Sequence, residues 1–224
     1  MEMADDNPAQ RAAGGGLLNT LAVSISVVLH PLFLPLYFMA GSNLGYFSSL
    51  GASVRSHAYF LSMATLFCAI PVLGICMLKL GGAVSDWHLT SKRDRLLVMA
   101  MVTGVLLAGL YRMQNLLSLN YIIHVVITAQ AFCCLLCFLV NLFYRLSAHS
   151  IGMAGVAALL ISLANKTGGE SLLGPFIISI LALGVVVWAR LNLAAHSPAE
   201  CIWAIAAGGL VGWFAPELVT LAGG

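Results

Sequence analysis

Seven apolar windows, at about residues 17–40, 58–82, 96–112, 118–143, 150–165, 171–189 and 199–215, follow one another with only short polar breaks between them. Most approach the ~20 residues that an α-helix needs to cross the ~30 Å of hydrocarbon in a bilayer. Such a pattern leaves few folds open, because backbone amides in hydrocarbon must find their hydrogen bonds inside the protein. The ten-residue alternation of a β-barrel is missing, which leaves helices. The expected fold class is an all-α integral membrane protein, a helical bundle of six or seven transmembrane helices. The number stays open because the fifth and seventh windows are short. The first window carries Pro31 and Pro35 in "HPLFLPLY", which predicts a kink or an incomplete crossing.

Composition agrees with a lipid bilayer as the surrounding solvent: 61% of the 224 residues are hydrophobic and 8% charged, far from the make-up of a soluble domain. Ten basic residues against eight acidic ones give a formal charge of +2, no sign of a nucleic-acid surface. All six cysteines lie in or beside apolar runs and read as packing residues. "CCLLC" has the look of a metal spacing but no second Cys or His pair to complete it. The opening "MEMADDNPAQRAAGGG" carries three acids and one arginine, the reverse of a basic signal-peptide start. Residues 1–16 are expected to be a flexible N-terminal tail and residues 17–224 a single transmembrane domain. Within it, Gly208 and Gly212 form a small-xxx-small spacing, and Gly152 and Gly155 open the fifth span.

Three polar clusters break the apolar background: "DWHLTSKRDR" (86–95), "YRLSAHS" (144–150) and "ARLNLAAHSPAE" (189–200). Two crossings separate each cluster from the next, so all three emerge on one side of the membrane. Together they supply Lys92, Arg93, Arg95, Arg145 and Arg190 as cations and His149 and His196 as groups that titrate near neutrality. Guanidinium forks match phosphate oxygens, and helices starting after Ser147 and Ser197 aim free amides at an anion. Phosphoryl transfer needs charge neutralisation, an in-line nucleophile and a proton for the leaving oxygen, and two histidines can divide the last two tasks. Only Asp86, Asp94 and Glu200 among the acids fall in the clusters, fewer than a two-metal site asks for. The expected mechanism is metal-free, with no cofactor.

These residues resemble the type 2 phosphatidic acid phosphatase superfamily, in a divergent bacterial form. The family pattern is lysine, six residues, arginine-proline; then proline-serine-glycine-histidine; then serine-arginine, five residues, histidine, three residues, aspartate. The third element matches in spacing at Arg190, His196 and Glu200, and Ser147 and His149 fall in register with the second. Departures are Ala189 for serine, Glu200 for aspartate, Leu146 and Ala148 for proline and glycine, and no proline after Arg95. With Arg95 as the family arginine, the lysine position falls on His88, and Lys92 and Arg93 stand nearby. The resemblance spans about residues 86–200. It implies a phosphatase-like domain in which His196 is the nucleophile, Glu200 orients it, and His149 is the general acid. Ser147, Arg190 and the first cluster (Lys92, Arg93, Arg95) would hold phosphate. The substrate would be a phospholipid or an isoprenyl pyrophosphate, and the site would face the periplasm of a bacterial inner membrane.

Other readings of the same residues remain. "SPAE" places Ser197, Pro198 and Glu200 as a capping box, so Glu200 serves a helix start whether or not it serves His196. The run Lys92–Arg95 is also what a membrane-surface anchor looks like. A non-catalytic protein of the same fold, binding an anionic lipid or a partner, would keep these cations. A histidine pair between helices is also a haem-ligand arrangement. His30, His57 and His124 read as structural or interfacial. Basic residues number seven on the cluster side and three on the other; without the five candidate site residues the count is two against three, which leaves orientation to the resemblance.

Overall fold

The computed structural model describes residues 16–43, 57–87, 89, 91–116 and 121–221. The expected tail, up to residue 15, and His88 lie outside them, while Gly16 opens the first helix. In chain order the helices are α1 (Gly16–Val28), α2 (Leu34–Asn43), α3 (His57–Ala64), α4 (Ile70–Leu80), α5 (Lys92–Leu116), α6 (Tyr121–Asn141), α7 (Ala148–Thr167), α8 (Leu173–Asn192) and α9 (Pro198–Leu221). Short 3-10 turns at Pro31–Phe33 and Glu170–Leu172 lead into α2 and α8, and a π-helical turn at Thr65–Ala69 joins α3 to α4. Seven stretches among the described residues are long and apolar enough to cross a membrane, α1 with α2 and α3 with α4 each counting as one. The chain is an all-α membrane bundle.

The short windows became full spans. α7 runs 20 residues and α9 runs 24, because the polar groups that shorten the apolar pattern at each end cap or pair instead of breaking the helix. Pro216 and Glu217 end the seventh apolar window, yet α9 continues through both, with Lys166 of α7 bonded to Glu217 at 2.6 Å.

α7 and α9 form the most extensive helix pair, and small residues are the reason. A Cβ on Gly208 would lie 2.1 Å from the carbonyl oxygen of Ile151, and one on Gly212 would lie 2.0 Å from that of Gly155. Backbone therefore touches backbone, the close approach that small residues permit between membrane helices. The interior is filled by side chains such as Phe67, Leu106, Ile123, Ile127 and Leu163, while Ile178, Leu181, Ile202 and Leu210 cover the outside with apolar surface, as lipid contact requires.

The first span is broken where the sequence places its prolines. Between α1 and α2 the helix hydrogen bonds lapse, and side chains take up the freed carbonyls. Gln130 of α6 donates to Pro31 O at 2.8 Å, the Cys68 thiol of the π turn donates to Leu32 O at 2.9 Å, and Tyr37 donates to Val28 O. His30 caps the 3-10 turn, its Nδ1 accepting from the Leu32 amide at 3.3 Å. A break in a membrane helix persists only when neighbours supply such partners.

Candidate active site

Each polar cluster sits at a helix junction on one end of the bundle, and each junction is fixed locally. In the first, Ser91 caps α5 by accepting the Asp94 amide at 3.0 Å. The buried Asp94 carboxylate accepts both the amide (2.7 Å) and the hydroxyl of Ser85, and Lys79 donates to Ser85 O at 2.6 Å. In the second, buried Asn141 closes α6 onto Cys137 O at 2.8 Å and accepts from the Leu146 amide. Ser147, fully buried, then caps α7, its hydroxyl accepting from the amide (3.3 Å) and the hydroxyl (3.0 Å) of Ser150. In the third, α8 ends in a Schellman turn: the Ala195 amide donates to Arg190 O and the Ala194 amide to Leu191 O. Ala194 sits there at φ 49°, where glycine is usual and alanine costs about 1 kcal/mol. That sharp turn sets His196 in the connection between α8 and α9, two residues before Pro198.

His196 and Glu200 are paired. The imidazole Nδ1 lies 2.9 Å from Glu200 Oε2, with side-chain exposures of 8% and 17%. A carboxylate only accepts, so Nδ1 carries the proton and the lone pair of a neutral ring is on Nε2. The same Oε2 accepts the Ser197 amide at 3.1 Å while Ser197 Oγ accepts the Glu200 amide at 3.3 Å, a complete capping box. Capping and orientation are thus done by one carboxylate. Burial pushes the His196 imidazole down to about 4; Arg190 and Arg145 act in the same direction, against the Glu200 hydrogen bond. The pair is a neutral imidazole on a carboxylate rather than an ion pair.

Around this pair stand three arginines. The charge of Arg145 is felt at Arg95, Arg190, His196 and Glu200, which places the three clusters within electrostatic reach of one another. In Arg95, Arg145 and Arg190 the Nε atom is buried with no hydrogen-bond partner. A buried guanidinium N–H without an acceptor is costly, and an anion among the three arginines would remove that cost.

His149, second residue of α7, is in electrostatic reach of His196. Its Nε2 lies 2.9 Å from Ser26 O in α1, so in the neutral ring the proton resides on Nε2 and is shared with that carbonyl. Arg190 donates to the Ser26 hydroxyl at 3.3 Å, and Asn192 donates to Asn19 at 3.0 Å. The first span therefore enters the site, which its apolar sequence does not announce.

Not every expected phosphate ligand joins the group. Lys92 is exposed and donates to Leu142 O at 2.8 Å, tying the first junction to the second as a cap on α6. Arg93 is exposed, its charge felt at Asp94. Ser147 Oγ is turned into the start of α7 and has no surface exposure. Sequence reasoning counted Arg145 among the five candidate site cations but not among the named phosphate ligands, read His30 as structural or interfacial, and passed over Ser26. His30 had a signal, a histidine directly before a proline in a membrane span; Ser26, acting through its carbonyl and its hydroxyl, had none.

Two apolar clefts lie beneath, on either side of Gln130, Cys133 and Gly152. The larger, about 450 Å³, runs between α2, α7 and α8 along Leu29, Phe38, Met153, Val156 and Ser179; the smaller, about 170 Å³, is bordered by His30, Val102, Cys137 and Ala148. Among the described residues no three His, Cys, Asp or Glu side chains converge. Comparison with protein-family models, curated proteins and solved structures returns no match to this chain.

Proposed function

We propose that the chain is a membrane lipid phosphatase that hydrolyses a lipid phosphomonoester or pyrophosphate through a phosphohistidine, without a metal. The observation that carries this reading is the His196–Glu200 pair set among three arginines whose buried Nε atoms have no partner. His196 Nε2 attacks phosphorus as the bond to the leaving oxygen breaks, and His149, entering the step as the imidazolium beside the bound anion, delivers its Nδ1 proton to that oxygen. The Nε2–H stays on Ser26 O, so loss of the Nδ1 proton returns the ring to its neutral Nε2–H tautomer. Water then attacks the phosphohistidine, His149 takes back a proton, and orthophosphate leaves with Nε2 free again. Glu200 keeps Nδ1–H throughout and offsets the positive charge that develops on the ring. The hydrocarbon tail of a phospholipid or isoprenyl pyrophosphate enters between helices, with the larger apolar cleft as the space beside the site. The site faces the periplasm of a bacterial inner membrane.

The test is phosphate release from a panel of phosphatidate, phosphatidylglycerophosphate, lipid A and isoprenyl pyrophosphate, in chelator, by wild type and by His196→Ala and His149→Ala. Release by wild type and none by His196→Ala is expected. Orientation is read separately: seven spans put the C-terminus opposite the site, so a C-terminal green fluorescent protein should fluoresce and a C-terminal alkaline phosphatase should be inactive.

One observation favours a second reading. The His149 N–H meets a carbonyl freed by the broken first span, as do Gln130 and Cys68, so His149 also serves as a structural partner. A non-catalytic protein that binds anionic lipid through the same arginines would bind the panel tightly and release no phosphate.

A further inference from the structure

The His30 and His149 rings meet with centroids 4.9 Å apart and planes at 84°, edge to face. His30 lies at the break in the first span, with its Nδ1 accepting the Leu32 amide, so the neutral ring carries its proton on Nε2. Capping alone does not call for an imidazole. Asparagine, aspartate, serine and threonine are the residues preferred at such a position, and an ionisable side chain at membrane depth is costly unless it has a task. The position is occupied instead by a ring that reaches the candidate acid, under the field of Arg190, which acts on both imidazoles.

We propose that His30 is a positioning residue for His149: its edge-to-face contact fixes the plane of the His149 ring, and with it the Nε2–H tautomer bonded to Ser26 O. Three groups of the first span then converge on two site residues. Ser26 O takes the His149 proton, Ser26 Oγ takes Arg190, and the His30 ring stops His149 from turning about its side chain. The task assigned to His149, giving up a proton from one defined nitrogen, depends on that restraint. This inference rests on the phosphatase reading for its consequence and on ring geometry alone for its substance.

His30→Asn separates capping from positioning, because asparagine still accepts from the Leu32 amide and has no ring. In detergent, with whichever panel lipid the wild type hydrolyses fastest, the variant should lose roughly 10- to 100-fold in kcat, a share of what general acids contribute, with KM within about twofold. Its His149 should show mixed tautomers in ¹⁵N ring shifts, where wild type shows Nε2–H alone. A His30→Gln variant controls for loss of the fold, since it supplies a side-chain acceptor of different length. If wild type releases phosphate and His30→Asn matches it in kcat and in the His149 tautomer, the inference is overturned and the phosphatase reading stands. If wild type releases none, the phosphatase reading fails, and the ring shifts alone decide: an altered His149 tautomer supports the inference and an unaltered one overturns it.

Discussion

One oxygen of Glu200 holds His196 in place, accepting its Nδ1–H at 2.9 Å while also accepting the amide that opens α9. Glu200→Gln keeps an acceptor for both and removes the charge. The variant should fold with a thermal midpoint near wild type and lose about 100-fold or more in kcat, by analogy with carboxylates that orient a catalytic imidazole. Steady-state phosphate release together with a thermal melt checks this; equal loss of both would make Glu200 a cap only.

The protonation of His196 follows from its burial. With the folded value at about 4 against an ordinary 6.5, the folded chain binds fewer protons than the unfolded chain between those pH values. Stability from this group is fully present above pH 6.5 and is lost as pH falls towards 4. NMR titration of the unliganded protein should therefore find the His196 ring neutral down to near pH 4, and orthophosphate should raise that midpoint by placing negative charge beside it. A midpoint at 6 to 7 without ligand would contradict the buried, neutral pair.

Arg145 acts on four site groups at once, and its Nε has no partner. Arg145→Gln should weaken inhibition by orthophosphate roughly 10- to 100-fold, the scale of one or two charge-assisted hydrogen bonds. Exposed Arg93→Gln should change it less than threefold. Inhibition constants for the two variants, side by side, decide whether the second cluster grips the anion.

The site is framed by the α7–α9 contact, since His149 lies in the first turn of α7, just after its capping serine, and Glu200 lies in the first turn of α9. Gly212→Ala places a methyl group where the Gly155 carbonyl now lies. The helices must separate, at a cost of about 1–3 kcal/mol or more, so the thermal midpoint and phosphate release should fall together. Gly174, with open space at its Cβ, is the control: Gly174→Ala should leave both unchanged.

Much of this architecture is legible in the sequence because hydrocarbon thickness sets a length that hydropathy reports directly. The windows foretold the spans, and counting crossings put the three clusters at one end. The capping box at Ser197–Glu200 was readable because it depends on spacing within one turn. What was hidden depends on contacts between distant helices. "LLNTLAVSISVV" reads as an ordinary apolar helix, and nothing in it marks Ser26 as the residue that would meet both His149 and Arg190. Lys92 and Ser147 have the right chemistry for phosphate, but helix ends claimed them first: Lys92 for the carbonyl of Leu142 and Ser147 for the start of α7. The π turn at Thr65–Ala69 had no signature beyond Pro71, whose missing N–H upsets the helix ladder there.

The central claim is covalent: phosphorus passes through Nε2 of His196. Rapid base quench of the protein turning over a ³²P-labelled lipid from the panel, followed by peptide mapping, should find an acid-labile, base-stable phosphoryl group on the peptide that carries His196, absent in His196→Asn. Steady phosphate release by a chain in which His196 never acquires label, or in which His196→Asn releases phosphate as fast as wild type, would contradict the account.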